Sequence, residues 1–185
     1  MSIKTIKSSN IGDKIKKDLV VAFTELGRRA AIAAYQGARR GRKYENRTNN
    51  LYSSYGSAVY VDGELIEDSI TRIHAPFYKV DKRAPAGYET GDRALQTYFR
   101  TAFVVRKRDT YTILVAAAMW YASMVEKKGF DVIELDEARK TIAANFDEVV
   151  GPVLKEYGLE SFLPTLRKGI GVDIEYFRFG GSRHK

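Results

Sequence analysis

The chain has 185 residues, of which 44% are apolar and 12% aromatic, so it can bury a core and is too hydrophobic for an intrinsically disordered protein. It has no cysteine, which excludes disulfides, thiol catalysis and cysteine-bound zinc, and no apolar run reaches the roughly 18 residues of a membrane span. The net charge of +8 favours acidic partners, either protein or nucleic acid. The first ten residues lack the apolar core of a signal peptide, so we expect the chain to fold in the cytoplasm.

The first predicted element is a long amphipathic helix over residues 10–36. Its apolar residues recur at spacings of three and four, at Ile11, Ile15, Leu19, Phe23, Leu26, Ala30 and Ala33. Asn10 is the predicted N-cap and Gly37 the predicted stop. Residues 37–46 lack apolar periodicity and are predicted to form a basic loop.

A block of basic residues spans the end of this helix and the loop, at Arg28, Arg29, Arg39, Arg40, Arg42, Lys43 and Arg47. Such a block is typical of a solvated loop or of a surface that contacts a polyanion, and the sequence leaves both open. Arginine pairs in bidentate fashion with carboxylate or phosphate. We therefore hypothesise an interface formed by Arg39, Arg40, Arg42, Lys43 and Arg47.

The next segment predicts a short turn and a β-hairpin. Leu51 and Tyr55 share one side of the turn, and residues 57–60 have strand character. Asp62-Gly63 is the strongest hairpin signal in the chain, because both residue types tolerate the backbone that a two-residue turn requires. Residues 67–91 contain scattered prolines and glycines, which predicts a long excursion.

A helix capped by Asp92 follows, with an apolar stripe at Leu95, Tyr98, Phe99, Ala102 and Phe103. Residues 110–117 predict a buried strand, residues 121–127 a short amphipathic turn, and residues 130–135 another strand. A last helix, capped by Asp136, extends to residue 157, and Pro152 is expected to kink or end it.

Residues 158–185 are interpreted as a C-terminal extension that follows a domain of residues 1–157. The sequence VDIEYFRF at 172–179 alternates like an edge strand, and its faces are apolar. We predict that it adds to the sheet of an adjacent subunit through Val172, Ile174, Tyr176, Phe177 and Phe179. Truncation at Gly158 should then leave a folded monomer.

Residue types that carry chemistry are sparse. The two histidines, His74 and His184, lie far from any cluster with metal spacing, and no phosphate-binding loop or nucleophile elbow occurs. The carboxylates Glu134, Asp136 and Glu137 are interpreted as helix-capping residues, which the helix dipole favours. We predict a protein that is not an enzyme and that has no catalytic residue, cofactor or metal.

The predicted fold class is α+β. A small, mostly antiparallel sheet would contain residues 57–66, 111–117 and 130–134. The helices at 11–36 and 137–157 would pack on it, and an extended tail would follow.

The order of these elements, with two short motifs, resembles the head–tail joining and tail-completion (neck) proteins of tailed phages. It looks closest to versions from phages of gut Bacteroidetes (crAss-like phages). The first motif, Thr-Gly-Asn-Leu in the family, is matched by Thr48, Asn49, Asn50 and Leu51, where Asn49 replaces a glycine. The second is matched by Tyr121, Ala122, Val125, Glu126, Gly129, Phe130, Asp131 and Val132.

This resemblance covers about residues 10–157 and implies a virion structural protein without catalytic residues. Members of the family form a homo-oligomeric ring in the neck or upper tail, next to portal or connector and tail proteins. The resemblance leaves open whether the ring is six- or twelve-fold and whether DNA passes through its lumen; it implies no membrane. The alternative hypothesis is a nucleic-acid-binding or packaging accessory protein that uses the arginine-rich loop.

Overall fold

A computed structural model of the protein describes residues 8–40, 51–70, 80–102, 104, 110–128 and 133–176. The helices of these residues are α1 (Ser8–Arg40), α2 (Gly91–Thr101), α3 (Ala122–Lys127), α4 (Leu135–Glu156) and α5 (Leu163–Gly169). The strands are β1 (Tyr55–Val61), β2 (Glu64–Ile70), β3 (Tyr111–Ala117) and β4 (Gly171–Tyr176). Two short 3-10 turns lie at Tyr52–Ser54 and Glu160–Phe162.

The strands form one sheet in the order β2-β1-β3-β4. The β1–β2 and β1–β3 pairs are antiparallel, and β4 pairs parallel to β3. The fold is therefore α+β with a mostly antiparallel sheet and a long N-terminal helix, as the sequence predicts.

The β1–β2 hairpin turns at Asp62-Gly63, as predicted. Both residues have positive φ, 55° and 80°, which is the backbone of the two-residue turns that match strand twist. Thr110 holds the turn in place: its N–H donates to the Asp62 carboxylate at 3.1 Å, and its carbonyl accepts from the Asp62 N–H at 3.0 Å.

Helices cover both faces of the sheet. On one face, the rings of Tyr35 and Phe23 on α1 lie 5.3 Å from Tyr55 and 5.0 Å from Tyr111, respectively. Tyr60 lies five residues after Tyr55 on β1, so its side chain points to the opposite face. There its hydroxyl donates to the carbonyl of Phe99 on α2, at 2.6 Å.

Helix α4 lies antiparallel to α1. Lys14 pairs with Glu156 at 3.2 Å near the start of α1, and the Tyr157 hydroxyl donates to Asp18 at 2.5 Å. Further along, the rings of Phe23 and Phe146 lie 6.4 Å apart. Polar contacts at one end and an aromatic contact further along therefore hold the two helices together.

The predicted helix boundaries need correction. Asn10 is not the N-cap of α1, because the helix begins at Ser8, and α1 passes Gly37 to end at Arg40. The residue that precedes α2 is Thr90, so Asp92 lies in the first turn, where a carboxylate still favours the dipole.

The start of α4 also differs from the prediction, since its N-cap is Glu134 rather than Asp136. Pro152 does not end this helix, which continues to Glu156. Pro152 and Glu148, whose carbonyl loses its intrahelical donor, are both exposed, so water can replace the missing hydrogen bond.

The predicted strand at 130–135 is wrong where the structure describes it. Ile133 and Glu134 form a connection and Leu135 begins α4, while residues 130–132 lie outside the described residues. The position beside β3 is occupied by β4, which pairs with it from Thr112–Gly171 to Ala117–Tyr176.

This pairing also corrects the prediction for the tail. Val172, Ile174 and Tyr176 pair with β3 of their own chain rather than with an adjacent subunit. Leu159, Leu163, Leu166 and Ile170 pack against the core and return the chain to the edge of β3. Phe177 and Phe179 lie outside the described residues.

Candidate subunit interface

The segments beside the two sequence motifs meet at one end of the β1–β3 pair. Leu51 is buried and its carbonyl accepts from the Ser54 hydroxyl at 2.8 Å, which closes the short turn before β1. The Ser54 carbonyl accepts in turn from the Ala118 N–H at 3.1 Å, one step beyond the Tyr55–Ala117 pair of the ladder. The two segments, which are distant in the chain, therefore share one backbone hydrogen bond.

The motif residues within the described part of the chain belong mainly to this scaffold. Leu51 and Ala122 are buried, and Tyr121 and Val125 are half-buried against the core. Sequence reasoning placed these residues correctly in the turn and in α3. The side chain of Glu126 and the residues Thr48, Asn49, Asn50, Gly129, Phe130, Asp131 and Val132 lie outside the described part.

Arg39 and Arg40, which the sequence places in the basic loop, belong to helix α1. Arg40 is the last helical residue, and its guanidinium pairs with Glu137 of α4 at 3.5 Å. The Arg40 side chain is 72% exposed, so this pair contributes at most about 1 kcal/mol and can exchange for another acidic partner. The side chain of Arg39 and the residues Arg42, Lys43 and Arg47 lie outside the described residues.

Gly37 brings the end of α1 against the start of α4. A Cβ at this position would lie 2.7 Å from the Cβ and Cγ atoms of Glu134 and 3.0 Å from Cγ of Glu137. The Glu134 N–H donates to the carbonyl of Ala34 at 3.3 Å. The glycine that the sequence suggests as a stop signal therefore permits a close helix–helix contact.

The other two arginines of the basic block stabilise the fold. Arg28 and Arg29 both donate to Glu25, at 2.7 Å and 2.9 Å, and Arg29 also reaches Asn145 at 2.7 Å and Glu148 at 2.9 Å on α4. The hydrogen bonds from Arg28, together with the one from Arg29, lower the pKa of Glu25 from 4.5 to about 2, although burial opposes this shift.

We expect the Glu25 cluster to make the fold sensitive to acid. Because the pKa of Glu25 is lower in the folded state, its contribution is complete above pH 4.5 and is lost as the pH falls toward 2. The carboxylate is 34% exposed, so we expect a loss of only about 1 kcal/mol between these limits. The difference between the free energies of unfolding in urea at pH 5.5 and at pH 2.5 measures this loss.

Glu25→Gln should abolish this part of the pH dependence, whereas Glu160→Gln, at an exposed position away from the cluster, should retain it. An equal loss of stability in the wild-type protein and in Glu25→Gln would assign the acid sensitivity to other groups.

One cluster was missed by sequence reasoning, in the segment predicted as an excursion. Asp81 accepts hydrogen bonds from the Trp120 indole at 3.2 Å and from Arg83 at 3.1 Å, and the pKa of Asp81 is lowered chiefly by Arg83. Backbone bonds from Asp81 to Glu89 and from Tyr88 to Pro85 fold residues 80–90. The signal in the sequence that could have found this cluster is Trp120, the only tryptophan of the chain.

The sequence also gave no warning of an acidic sheet edge. Glu64 and Glu67 on β2 are exposed, and Asp68 is half-buried beside them. Ile66, between them, is 51% exposed. A surface of negative charge therefore lies on the outer strand, whereas the only charged interface predicted from the sequence is the basic block.

The described residues contain no group of three or more histidine, cysteine or carboxylate side chains arranged to hold a metal ion. His74 and His184 lie outside them. Within the same part of the chain, no helix combines the length and the apolar character needed to cross a membrane.

Comparison of the chain with protein-family models, with curated proteins and with solved structures gives no match in any of the three. The resemblance to phage neck proteins therefore depends on the two motifs and on the order of the elements. The geometry that bears on it is the hydrogen bond between Ser54 and Ala118, the residues that flank the two motifs.

Proposed function

We propose that the chain is a virion structural protein that forms a ring in the neck or upper tail and joins the portal or connector to the tail. The observation that carries this proposal is the backbone hydrogen bond between Ser54, three residues after the first motif, and Ala118, three residues before the second. The two matches, which are distant in the chain, therefore flank one point of the structure. This proximity supports the view that the segments beside them form one shared scaffold.

The arrangement of charge supports a structural role for the surface of this scaffold. The motif residues Leu51 and Ala122 are buried, whereas Arg40 is exposed at the end of α1. Glu137, the present partner of Arg40, also pairs with Lys140 at 3.5 Å, so it keeps a cation when Arg40 binds elsewhere. The basic end of α1 is therefore able to contact a neighbouring protein.

The test of the proposal is the assembly state. Native mass spectrometry and negative-stain electron microscopy of the full chain should show closed rings, which we expect to contain six or twelve copies. Mass spectrometry of purified particles should detect the chain as a component of the virion, assembled in the host cytoplasm. A protein that remains monomeric and is absent from particles would contradict the proposal.

We expect reversal of the basic block to prevent assembly without unfolding the subunit. The triple variant Arg39→Glu, Arg40→Glu and Arg42→Glu places like charges against an acidic partner surface, which costs several kcal/mol across an interface. Size-exclusion chromatography with light scattering measures the loss of rings, and circular dichroism checks the fold.

The matched control reverses three exposed lysines elsewhere, Lys16, Lys17 and Lys168, and should assemble normally. Normal assembly of the arginine variant as well would show that the block is only a solvated surface.

The alternative, a nucleic-acid-binding or packaging accessory protein, makes a different prediction for the same variants. Phosphate contacts release counterions, so the affinity for duplex DNA would fall steeply with salt, and the arginine variant would show a smaller slope. DNA binding of this kind by a chain that forms no ring would favour the alternative.

A further inference from the structure

The outer edge of β2 is a candidate docking surface. In the strand order β2-β1-β3-β4, β2 pairs with β1 on one side, and no described strand pairs with its other side. An edge of this kind presents free backbone donors and acceptors to a further strand. Its exposed side chains then decide which strand it accepts.

A bulge gives this edge an apolar contact point. Val59 pairs with Glu67 and Tyr60 with Leu65, which leaves Ile66 as the extra residue on β2. Ile66 is 51% exposed and lies between the exposed carboxylates of Glu64 and Glu67. The edge therefore combines one exposed apolar side chain with negative charge on both sides.

The negative charge of the β2 edge determines which kind of strand can pair with it. Two β2 edges placed side by side would bring like charges close together, which destabilises cross-strand pairs. A symmetric dimer through this edge is therefore disfavoured, whereas a basic strand is favoured. The bulge and the charges also protect the edge against unselective pairing.

A segment with the required chemistry follows β4 in this same chain. Residues 177–185 contain Arg178, Arg183 and Lys185, no acidic residue, and two aromatic residues, Phe177 and Phe179. Aromatic side chains pair favourably across strands with β-branched residues such as Ile66. We propose that residues 177–185 of one subunit add as a strand to the β2 edge of the next.

The sheet topology makes this contact directional. Since β2 and β4 are the two edges of the sheet, they lie roughly 14 Å apart, three strand spacings. The donor segment leaves one edge at Tyr176, and the acceptor is the other edge. An interface between two different surfaces is heterologous, and its repetition closes a ring when the rotation permits.

The lengths are compatible. Nine extended residues span about 30 Å, and the seven residues of β2 span about 23 Å, so the segment can cover the whole edge. This inference rests on the proposed ring. The experiment below distinguishes a failure of the strand contact from a failure of the proposed ring.

The experiment uses two full-length charge variants. The edge variant carries Glu64→Lys and Glu67→Lys, and the tail variant carries Arg178→Glu, Arg183→Glu and Lys185→Glu. Each variant alone faces like charges at the contact, so we expect its self-association to weaken at least about tenfold. A 1:1 mixture restores opposite charges at every contact, and native mass spectrometry should show assemblies of equal stoichiometry.

The control variant, Asp136→Lys with Glu160→Lys, changes two exposed carboxylates on α4 and the turn that follows it, and should assemble like the wild type. Circular dichroism of every variant checks that the subunit stays folded.

Three outcomes separate the possibilities. Assembly of the mixture supports the contact between subunits; if those assemblies are open chains rather than rings, the contact stands and the proposed function fails. If each variant alone still forms rings like those of the wild type, the proposed contact is overturned and the proposed function is left intact. A mixture that stays monomeric while the five substitutions, combined in one chain, restore wild-type stability would place the tail on its own β2 edge and overturn the contact.

Discussion

Truncation after Gly158 is expected to unfold the protein rather than to release a folded monomer. It removes α5 and β4, and with them the contacts of Leu159, Leu163, Leu166 and Ile170 with the core. It also removes the pairing of β4 along β3 and the ion pair of Arg167 with Asp147. Losing the burial of these four apolar side chains and the hydrogen bonds between β3 and β4 lowers the free energy of unfolding by roughly 4–6 kcal/mol. Such a loss equals the whole stability of a domain at the lower end of the typical range of about 5–15 kcal/mol.

The matched control is truncation after Tyr176, which keeps every described helix and strand. At a concentration low enough to keep the subunits monomeric, it should change the free energy of unfolding by less than about 0.5 kcal/mol. Urea unfolding followed by circular dichroism compares the two with the full chain. A cooperative transition of wild-type midpoint in the Gly158 truncation would show that α5 and β4 are dispensable for the fold.

Gly27→Ala should destabilise the protein even though alanine is the better helix former. A Cβ at Gly27 would lie 2.5 Å from Oγ and 2.7 Å from Cβ of Ser57, and 3.1 Å from Cγ2 of Ile113. Rotation of the Ser57 hydroxyl relieves only the first contact, because Cβ of Ser57 is bonded to the backbone of β1 and Cγ2 of Ile113 belongs to a buried β-branched side chain with restricted rotamers. Overpacking of this kind costs about 1–3 kcal/mol, more than the roughly 1 kcal/mol gained in helix propensity.

Gly12→Ala is the matched control on the same helix, since nothing lies within 4 Å of a Cβ there. It should be neutral or stabilise the protein by up to about 1 kcal/mol. Adding Ser57→Gly to Gly27→Ala should recover part of the loss, because it removes two of the contacting atoms. Equal midpoints of thermal unfolding for the two alanine variants would contradict a close approach of α1 to the sheet.

The elements with strong local signals could be predicted from the sequence. The stripe of α1, the Asp62-Gly63 turn and the β-forming run of β3 each depend on neighbours in the chain, and each is present in the structure. The buried residues Leu95, Tyr98 and Phe99 of α2 follow for the same reason. The sequence also placed Leu51 and Ala122 in the segments that the structure brings together.

The predictions that were wrong concern segments whose local sequence pattern is compatible with two different structural roles. Gly37 has the local properties of a helix stop, but the approach of Glu134 makes it a point of helix contact. Residues 130–135 and 171–176 both have strand character, and only one segment can occupy the edge of β3. The packing of α5 residues such as Leu163 and Leu166 carries the second segment to that edge.

The sequence by itself determined the fold class, the long N-terminal helix, the hairpin and the low content of residues suited to chemistry. These features follow from composition and from spacings of a few residues, which act locally. The tertiary structure decided which basic residues are exposed: Arg28 and Arg29 pair with Glu25, whereas Arg40 lies at an exposed helix end. It also decided that β4 completes its own sheet and that β2 presents an acidic edge. Strand order and charge pairing join residues that are distant in the chain, and no local pattern encodes that proximity.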